Sequence, residues 1–183
     1  MKFQIFVDMD GVLCNFEKRC KDLWPKLNID NDEQRIELYE KIRGKGAEFW
    51  SEIEWTKFGK VVWEMVEPFQ PIILSAPLAS DPYGSTTGKK LWLQKHISMM
   101  NHLIQTKSKN GWDGVSSIVL CANKHHFVGT DKNTIYLLID DSPSKCENFT
   151  LEGGHSILWT DELTSIARLQ KVVTELHRLK GTK

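Results

Sequence analysis

The sequence has 183 residues, enough for one domain with a sizeable core, or for a core that carries a small insertion. Lysine plus arginine and aspartate plus glutamate each total 24, so the formal net charge is zero and an extended nucleic-acid-binding surface is not expected. No apolar run approaches the length of a membrane span, and the four cysteines show no CxxC spacing. We therefore expect a cytoplasmic protein with reduced thiols and no membrane partner.

Five short runs rich in isoleucine, valine, leucine and phenylalanine stand out along the chain. None alternates between polar and apolar residues, and each is typical of a strand buried on both faces of a parallel sheet. The strands are expected at 3–7, 71–74, 117–121, 135–139 and 155–159, and helices are expected between them at 89–104, 142–151 and 161–179. This alternation predicts an open α/β fold with right-handed crossovers.

The stretch between the first two predicted strands is too long for a single crossover helix. It reads as helical rather than as a structureless loop, with candidate segments at 18–24, 33–42 and 55–66. We therefore expect a three-layer α/β core with a parallel sheet, formed by residues 1–14 and 68–183, and a small helical cap inserted after the first strand, formed by residues 15–67.

Polar side chains follow four of the five predicted strands, at the point where each strand ends. They are, in chain order, Asp8 with Asp10, then Ser75, then Lys124, then Asp140 with Asp141. Ligands of open parallel sheets bind beyond the carboxyl ends of the strands. These side chains are therefore expected to share one crevice.

The residue types at these strand ends suit one reaction. Crowded carboxylates repel one another unless a cation lies between them, and oxygen ligands favour Mg²⁺ over zinc. Lys124 and Ser75 would then hold a phosphate beside the metal, and Gly11 would let the chain turn and present amides to the anion. Asp8 could attack phosphorus to form an acyl phosphate, while Asp10 protonates the leaving oxygen and later activates water.

Some of these residues also have simpler explanations. Asp140 and Asp141 fit the start of the next helix, because Pro143 is typical of a first helical turn. Lys89 fits either a phosphate ligand or the solvated start of a helix. The glycine-rich stretch 84–90 is not a P-loop, because three residues rather than four separate its glycines. We expect it to be a flexible loop that leads into a helix.

The order of these residues resembles that of the haloacid dehalogenase (HAD) superfamily. Asp8 and Asp10 match its DxD motif, Ser75 its second motif, Lys124 its third motif, and Asp140 with Asp141 its acidic fourth motif. The resemblance covers residues 3–159 and implies a HAD-like Rossmannoid core, with Asp8 as nucleophile and Asp10 as acid/base. It also implies a Mg²⁺ ion held by Asp8, by the backbone carbonyl of Asp10 and by one of the acidic pair, for which Asp141 is favoured over Asp140.

A closer likeness is to the 5'(3')-deoxyribonucleotidases. The shared features are DMDGVL at 8–13 followed by Phe16, LLIDD at 137–141, Lys89 with Trp92 after the second motif, and the aromatic pair Phe49 and Trp50. Those enzymes usually show Thr-Ser-Pro at the second motif, where this chain has Ser75, Ala76 and Pro77 and so lacks one hydroxyl. The likeness implies a nucleoside monophosphate substrate, in particular a deoxyribonucleotide. Lys89 would then bind the phosphate, with Phe16 and Trp50 near the base.

Three other functions stay open on the sequence. They are a HAD phosphatase for another small metabolite, an enzyme that trims nucleic-acid ends, and a non-catalytic binding module on a HAD fold. The neutral composition argues against the second, and the presence of both Asp8 and Asp10 argues against the third. The sequence does not determine the oligomeric state and leaves a homodimer open.

Overall fold

A parallel β-sheet forms the centre of the molecule. The computed structural model describes residues 2–97, 105–107, 113–115 and 118–181. Its strands are β1 (Lys2–Val7), β2 (Ile72–Ser75), β3 (Gln105–Lys107), β4 (Asp113–Val115), β5 (Ile118–Leu120), β6 (Thr134–Asp140) and β7 (His155–Leu158). Five of them form a parallel sheet in the order β5-β2-β1-β6-β7, and β3 pairs antiparallel with β4. The predicted α/β fold with a parallel sheet is confirmed.

Seven α-helices lie in the described ranges. They are α1 (Phe16–Leu23), α2 (Asp32–Lys45), α3 (Ala47–Ser51), α4 (Gly59–Val66), α5 (Pro82–Ile97), α6 (Pro143–Leu151) and α7 (Leu163–Gly181), with short 3₁₀ turns at Glu67–Phe69 and Lys124–Phe127. Helices α1 to α4 all lie between β1 and β2. None of the helices in these ranges is both long enough and apolar enough to cross a bilayer.

The two faces of the sheet bury separate apolar clusters, which explains the continuous apolar runs in the sequence. Ile5 and Val7 of β1 belong to one cluster, and Phe6 between them belongs to the other. Phe6 packs against Phe127 and Phe149, with ring centroids 6.1 and 5.9 Å apart. Strands at the centre therefore need apolar residues at every position.

The helices inserted after β1 share the first of these clusters. Leu38 and Ile42 of α2 and Phe49 of α3 are buried in it together with residues of β1 and β6. Helix α3 also packs closely on α5, because a Cβ at Gly88 would lie only 2.3 Å from the carbonyl oxygen of Ala47. The insertion is therefore packed directly on the elements that surround the sheet.

The glycine-rich stretch 84–90 corrects one prediction from the sequence. It is not a flexible loop but the first part of α5, which begins at Pro82 rather than at Lys89. Asp81 accepts a hydrogen bond from the amide of Gly84 at 3.0 Å, which is the bond that an N-cap residue makes. The alternative of a solvated helix start at Lys89 is wrong as well, because that side chain is fully buried. The predicted end of this helix, 98–104, lies outside the described residues.

Helices α1 and α2 lie within three residues of their predicted bounds, whereas α4 and α3 differ more from the prediction. Helix α4 begins at Gly59 rather than at Trp55, because Thr56 is held on the loop after β1: its amide donates to the carbonyl of Leu13 at 2.9 Å. Helix α3 was not expected from the sequence. It is only five residues long, which is too short for a periodic pattern to show.

Candidate active site

The carboxyl ends of β1, β2 and β6 bring the predicted polar residues to one edge of the sheet. The amide of Asp8 donates to the carbonyl of Ile139 at 2.9 Å, so the end of β1 lies directly beside the end of β6. The amide of Cys121 donates to the carbonyl of Ser75 at 2.8 Å, which leads the chain after β5 past the end of β2 towards Lys124. Four distant segments therefore meet at this edge.

Three carboxylates at this edge form a group that can hold a metal ion. Asp8, Asp140 and Asp141 each place one oxygen within 4.8 Å of the others. Asp8 and Asp140 are buried, whereas Asp141 is exposed as a residue but has its carboxylate against the backbone of Gly11. A Cβ at Gly11 would lie 2.1 Å from that carboxylate, and the φ of +75° at this residue also favours glycine.

Lys124 forms ion pairs with two of these carboxylates. Its Nζ lies 2.7 Å from Oδ2 of Asp8 and 2.5 Å from Oδ2 of Asp140, and the side chain is only 1% exposed. The other oxygen of Asp8 accepts from the amide of Met9 at 2.7 Å. Lys145, in the first turns of α6, adds a second positive charge 4.0 Å from Asp8.

The charges in this group explain its pKa shifts. Burial would raise the pKa of Asp8, but the lysines, above all Lys124, outweigh it and hold that pKa below its ordinary value. Burial and the charge of Asp8 raise the pKa of Asp140. Burial of its carboxyl and the charges of Asp8 and Asp140 raise the pKa of Asp141 to about 7. The group therefore carries more negative charge than its lysines balance, and a divalent cation fits it.

Asp10 faces a different lysine from the one that Asp8 faces. Its Oδ2 lies 2.5 Å from Nζ of Lys89, which also donates to Oγ of Ser75 at 2.9 Å and to the carbonyl of Ala76 at 2.6 Å. The thiol of Cys14 donates to the other oxygen of Asp10 at 3.4 Å. The hydroxyl of Ser75, predicted to bind phosphate, is thus buried and in contact with a lysine.

The predicted aromatic residues of the insertion lie close to Lys89. Phe16 stacks on Trp50 with ring centroids 5.4 Å apart and an interplanar angle of 22°. Nζ of Lys89 lies 4.7 Å from the centroid of the Trp50 ring. Trp50 is only 2% exposed, whereas Phe16 is half-buried. Of the two rings predicted to lie near a base, Phe16 is therefore the accessible one.

A cavity of about 570 Å³ opens beside these residues. Its walls come from the turn after β1, from the insertion and from the loops after β6 and β7. They are formed by Asp10, Gly11, Asn15, Phe16, Glu17, Ile29, Asp30, Thr56, Asp141, Trp159, Thr160 and Asp161. The cavity is of a size that holds a small organic ligand.

Sequence reasoning missed three residues of this region. Lys145 follows Asp141 by four positions, so its place one turn into α6 was a usable signal for a charge near Asp8. Cys14 and Trp159 gave no signal, because their contacts with Asp10 and with the cavity arise from the tertiary fold. All the predicted side chains from the strand ends do meet here.

Comparisons with known proteins leave the family unassigned. No protein-family model matches the chain, and no curated protein matches it. Among solved structures, the chain is similar to a HAD family enzyme from Bacteroides thetaiotaomicron, determined as a magnesium complex. The identity is 15%, the match covers 85% of this chain and 91% of that one, and the TM-score is 0.43.

Proposed function

We propose that this protein is a Mg²⁺-dependent phosphatase of the HAD type, which hydrolyses a phosphate monoester through an aspartyl phosphate on Asp8. The observation that carries the proposal is the meeting of Asp8, Asp140 and Asp141, whose oxygens lie within 4.8 Å of one another beside Lys124. Three separate segments of the chain supply this group, which is the kind of convergence that a metal-assisted phosphoryl-transfer site needs.

Asp8 is the proposed nucleophile. Lys124 and Lys145 keep its carboxylate ionised, as the lowered pKa indicates, so an oxygen with a free electron pair is present at neutral pH. This oxygen attacks phosphorus, the bond from phosphorus to the alcohol oxygen breaks, and an acyl phosphate forms. Water then attacks that phosphorus and regenerates Asp8.

Asp10 is the proposed acid/base. Its carboxyl lies two residues after Asp8 and lines the cavity where the leaving alcohol would be. It gives a proton to the departing oxygen and takes one from the water that attacks the acyl phosphate. Lys89 and Cys14 hold its two oxygens and so fix its direction.

Asp8, Asp141 and Asp140 would hold the Mg²⁺ ion, with the backbone of Asp10 as a further ligand. When bound, the ion would offset the negative charge of the phosphate and hold it against Asp8. Asp140 is already paired with Lys124 through one oxygen, and its other oxygen accepts from the amide of Ser142 at 2.9 Å. Asp141 has the freer carboxylate and is therefore the preferred direct ligand.

We propose a nucleoside monophosphate, and in particular a deoxyribonucleotide, as the substrate. The cavity has room for a nucleoside beside Asp10 and Asp141, and Phe16 forms part of its wall. Residues 15–67 would act as the cap over the site, since they supply one wall of the cavity while the core supplies the other. Lys124 rather than Lys89 is the better candidate for a phosphate contact, because Lys124 lies 2.7 Å from the proposed nucleophile Asp8, whereas Lys89 lies on Asp10.

Phosphate release from a panel of substrates tests this proposal. Purified protein with Mg²⁺ is incubated with deoxyribonucleotides, ribonucleotides and sugar phosphates, and the inorganic phosphate is measured. We expect release from nucleotides, and a loss of about 10⁴-fold or more in kcat for Asp8→Asn. Release from sugar phosphates alone would reject the nucleotide assignment, and undiminished activity of Asp8→Asn would reject the covalent mechanism.

A further inference from the structure

We propose that the cavity accepts only substrates in which the reacting phosphate is the sole anionic group, so that the leaving alcohol is neutral or cationic. This inference rests on the proposed phosphatase function and narrows its substrate class. It rejects alcohols that carry a second phosphate or a carboxylate, and it therefore also rejects the ends of nucleic-acid chains.

The charge of the cavity wall is the first argument. Its lining includes five carboxylates, and within the described part of the chain no lysine or arginine lines it. The carboxylates are those of Asp10, Glu17, Asp30, Asp141 and Asp161. A second anionic group on the substrate would therefore meet like charge at several points of this wall and no positively charged side chain in it.

Two of the five carboxylates already have a partner or a proposed role. Asp10 is paired with Lys89, and Asp141 belongs to the group proposed to hold the metal. The other three carboxylates, those of Glu17, Asp30 and Asp161, are not part of that group. Glu17 pairs with Lys21 at 2.5 Å on the exposed surface of α1, where solvent screens the pair. Asp161 accepts from the backbone amides of residues 57 and 58, at 3.1 and 3.0 Å.

The buried lysines near the cavity are already paired, and Lys145, which lies 4.0 Å from Asp8, does not line the cavity. Lys124 is buried between Asp8 and Asp140, and Lys89 is buried with its ammonium on Asp10, Ser75 and Ala76. An ammonium has three N–H groups, and all three of Lys89 are in use. One divalent cation and one phosphate dianion leave the region without excess positive charge.

The neutral part of the wall is the second argument. Phe16, Ile29 and Trp159 give the cavity apolar surface, which suits a sugar or a base. The indole N–H of Trp159 is buried and has no hydrogen-bond partner among the residues that the structure describes, although the residue lines the cavity. A hydroxyl or carbonyl oxygen of a neutral ligand would satisfy this donor after a small rotation of the indole that brings its N–H to the cavity.

Matched pairs of substrates test the inference. Thymidine 5'-monophosphate is compared with thymidine 3',5'-bisphosphate, and ethanolamine phosphate with phosphoglycolate, by phosphate release in Mg²⁺. We expect kcat/KM to be lower by about tenfold or more for the more anionic member of each pair. The difference should shrink as ionic strength rises, because exposed charges are screened.

Charge-removing variants locate the effect in the cavity. Asp30→Asn and Glu17→Gln, alone and together, should narrow the difference in kcat/KM between the two substrates of each pair. Glu64→Gln removes an exposed carboxylate of α4 that does not line the cavity, and it should leave the difference unchanged. Equal kcat/KM within the pairs, or a difference that the cavity variants do not alter, would overturn this inference and leave the phosphatase proposal standing. Phosphate release from none of these four compounds, and from none of the nucleotides and sugar phosphates tested above, would overturn the phosphatase proposal itself.

Discussion

Lys89 shows how far the role of a single residue depends on its partners. The family resemblance implied that it binds the substrate phosphate, yet its Nζ contacts Asp10, Ser75 and the carbonyl of Ala76. We expect Lys89→Met to lower the free energy of unfolding by about 2 kcal/mol, because it removes three contacts of a buried ammonium and leaves Asp10, which is 27% exposed, without its cation. Urea denaturation measures this loss.

Two further variants separate the ion pair from general damage to α5. Lys90→Met changes the exposed neighbour on the same helix and should cost less than about 0.5 kcal/mol. Adding Asp10→Asn to Lys89→Met removes the unpaired charge and should restore part of the stability. If the double variant is as unstable as the sum of the single ones, the ion pair is not what holds Lys89 in place.

The sequence was sufficient to predict which residues meet but not how they pair. A parallel sheet collects the ends of its strands at one edge, so Asp8, Ser75, Lys124 and Asp141 could be placed together from strand order alone. Whether Lys124 or Lys89 faces a given aspartate depends on side-chain directions from separate elements. The burial of Trp50 likewise depends on tertiary packing, which a local sequence pattern does not predict.

At the scale of elements, the contact between α3 and α5 depends on one glycine. A Cβ at Gly88 would lie 2.3 Å from the carbonyl oxygen of Ala47 and 2.5 Å from Cβ of Trp50. We expect Gly88→Ala to lower the free energy of unfolding by about 2 kcal/mol or more, because the two helices must separate. Thermal and urea denaturation report this change.

Gly44 in α2 provides the matched control. A Cβ there would meet nothing within 4 Å, so Gly44→Ala should raise the free energy of unfolding by about 0.5–1 kcal/mol through helix propensity alone. The same substitution is thus predicted to have opposite signs in two helices. A stabilising effect of Gly88→Ala would contradict the close contact between Gly88 and the carbonyl oxygen of Ala47.

Helix α5 was also the element that sequence patterns predicted least well. Two glycines, a serine and two threonines in 84–88 are poor helix formers, so the local pattern indicated a loop. Tertiary packing outweighs that propensity, since Gly84, Ser85 and Gly88 are buried. The sequence Asp81-Pro82 did carry the usual start signal, an N-cap residue followed by proline, and reading it would have placed the start correctly.

At the scale of the whole molecule, the proposed metal site joins segments that are far apart in the chain. Asp8 follows β1, Asp140 ends β6 and Asp141 follows that strand, so the unfolded chain offers no comparable site to an ion that binds the folded state. Mg²⁺ should therefore raise the midpoint of thermal unfolding. At a free concentration roughly 100 times Kd, the free energy of unfolding should rise by about 2.7 kcal/mol. EDTA should reverse the shift.

Asp141→Asn distinguishes this linkage from a general effect of salt. Asp141 is exposed as a residue, but burial of its carboxyl and repulsion by Asp8 and Asp140 raise its pKa to about 7. Without metal, the variant should be at least as stable as the wild type at pH 8, because it removes that repulsion. It should nevertheless lose most of the Mg²⁺-induced shift, since one carboxylate ligand is gone. A control variant of an exposed acidic residue, Glu64→Gln, should keep the full shift. If Asp141→Asn responds to Mg²⁺ as the wild type does, the ion binds elsewhere and the proposed chemistry at Asp8 loses its metal.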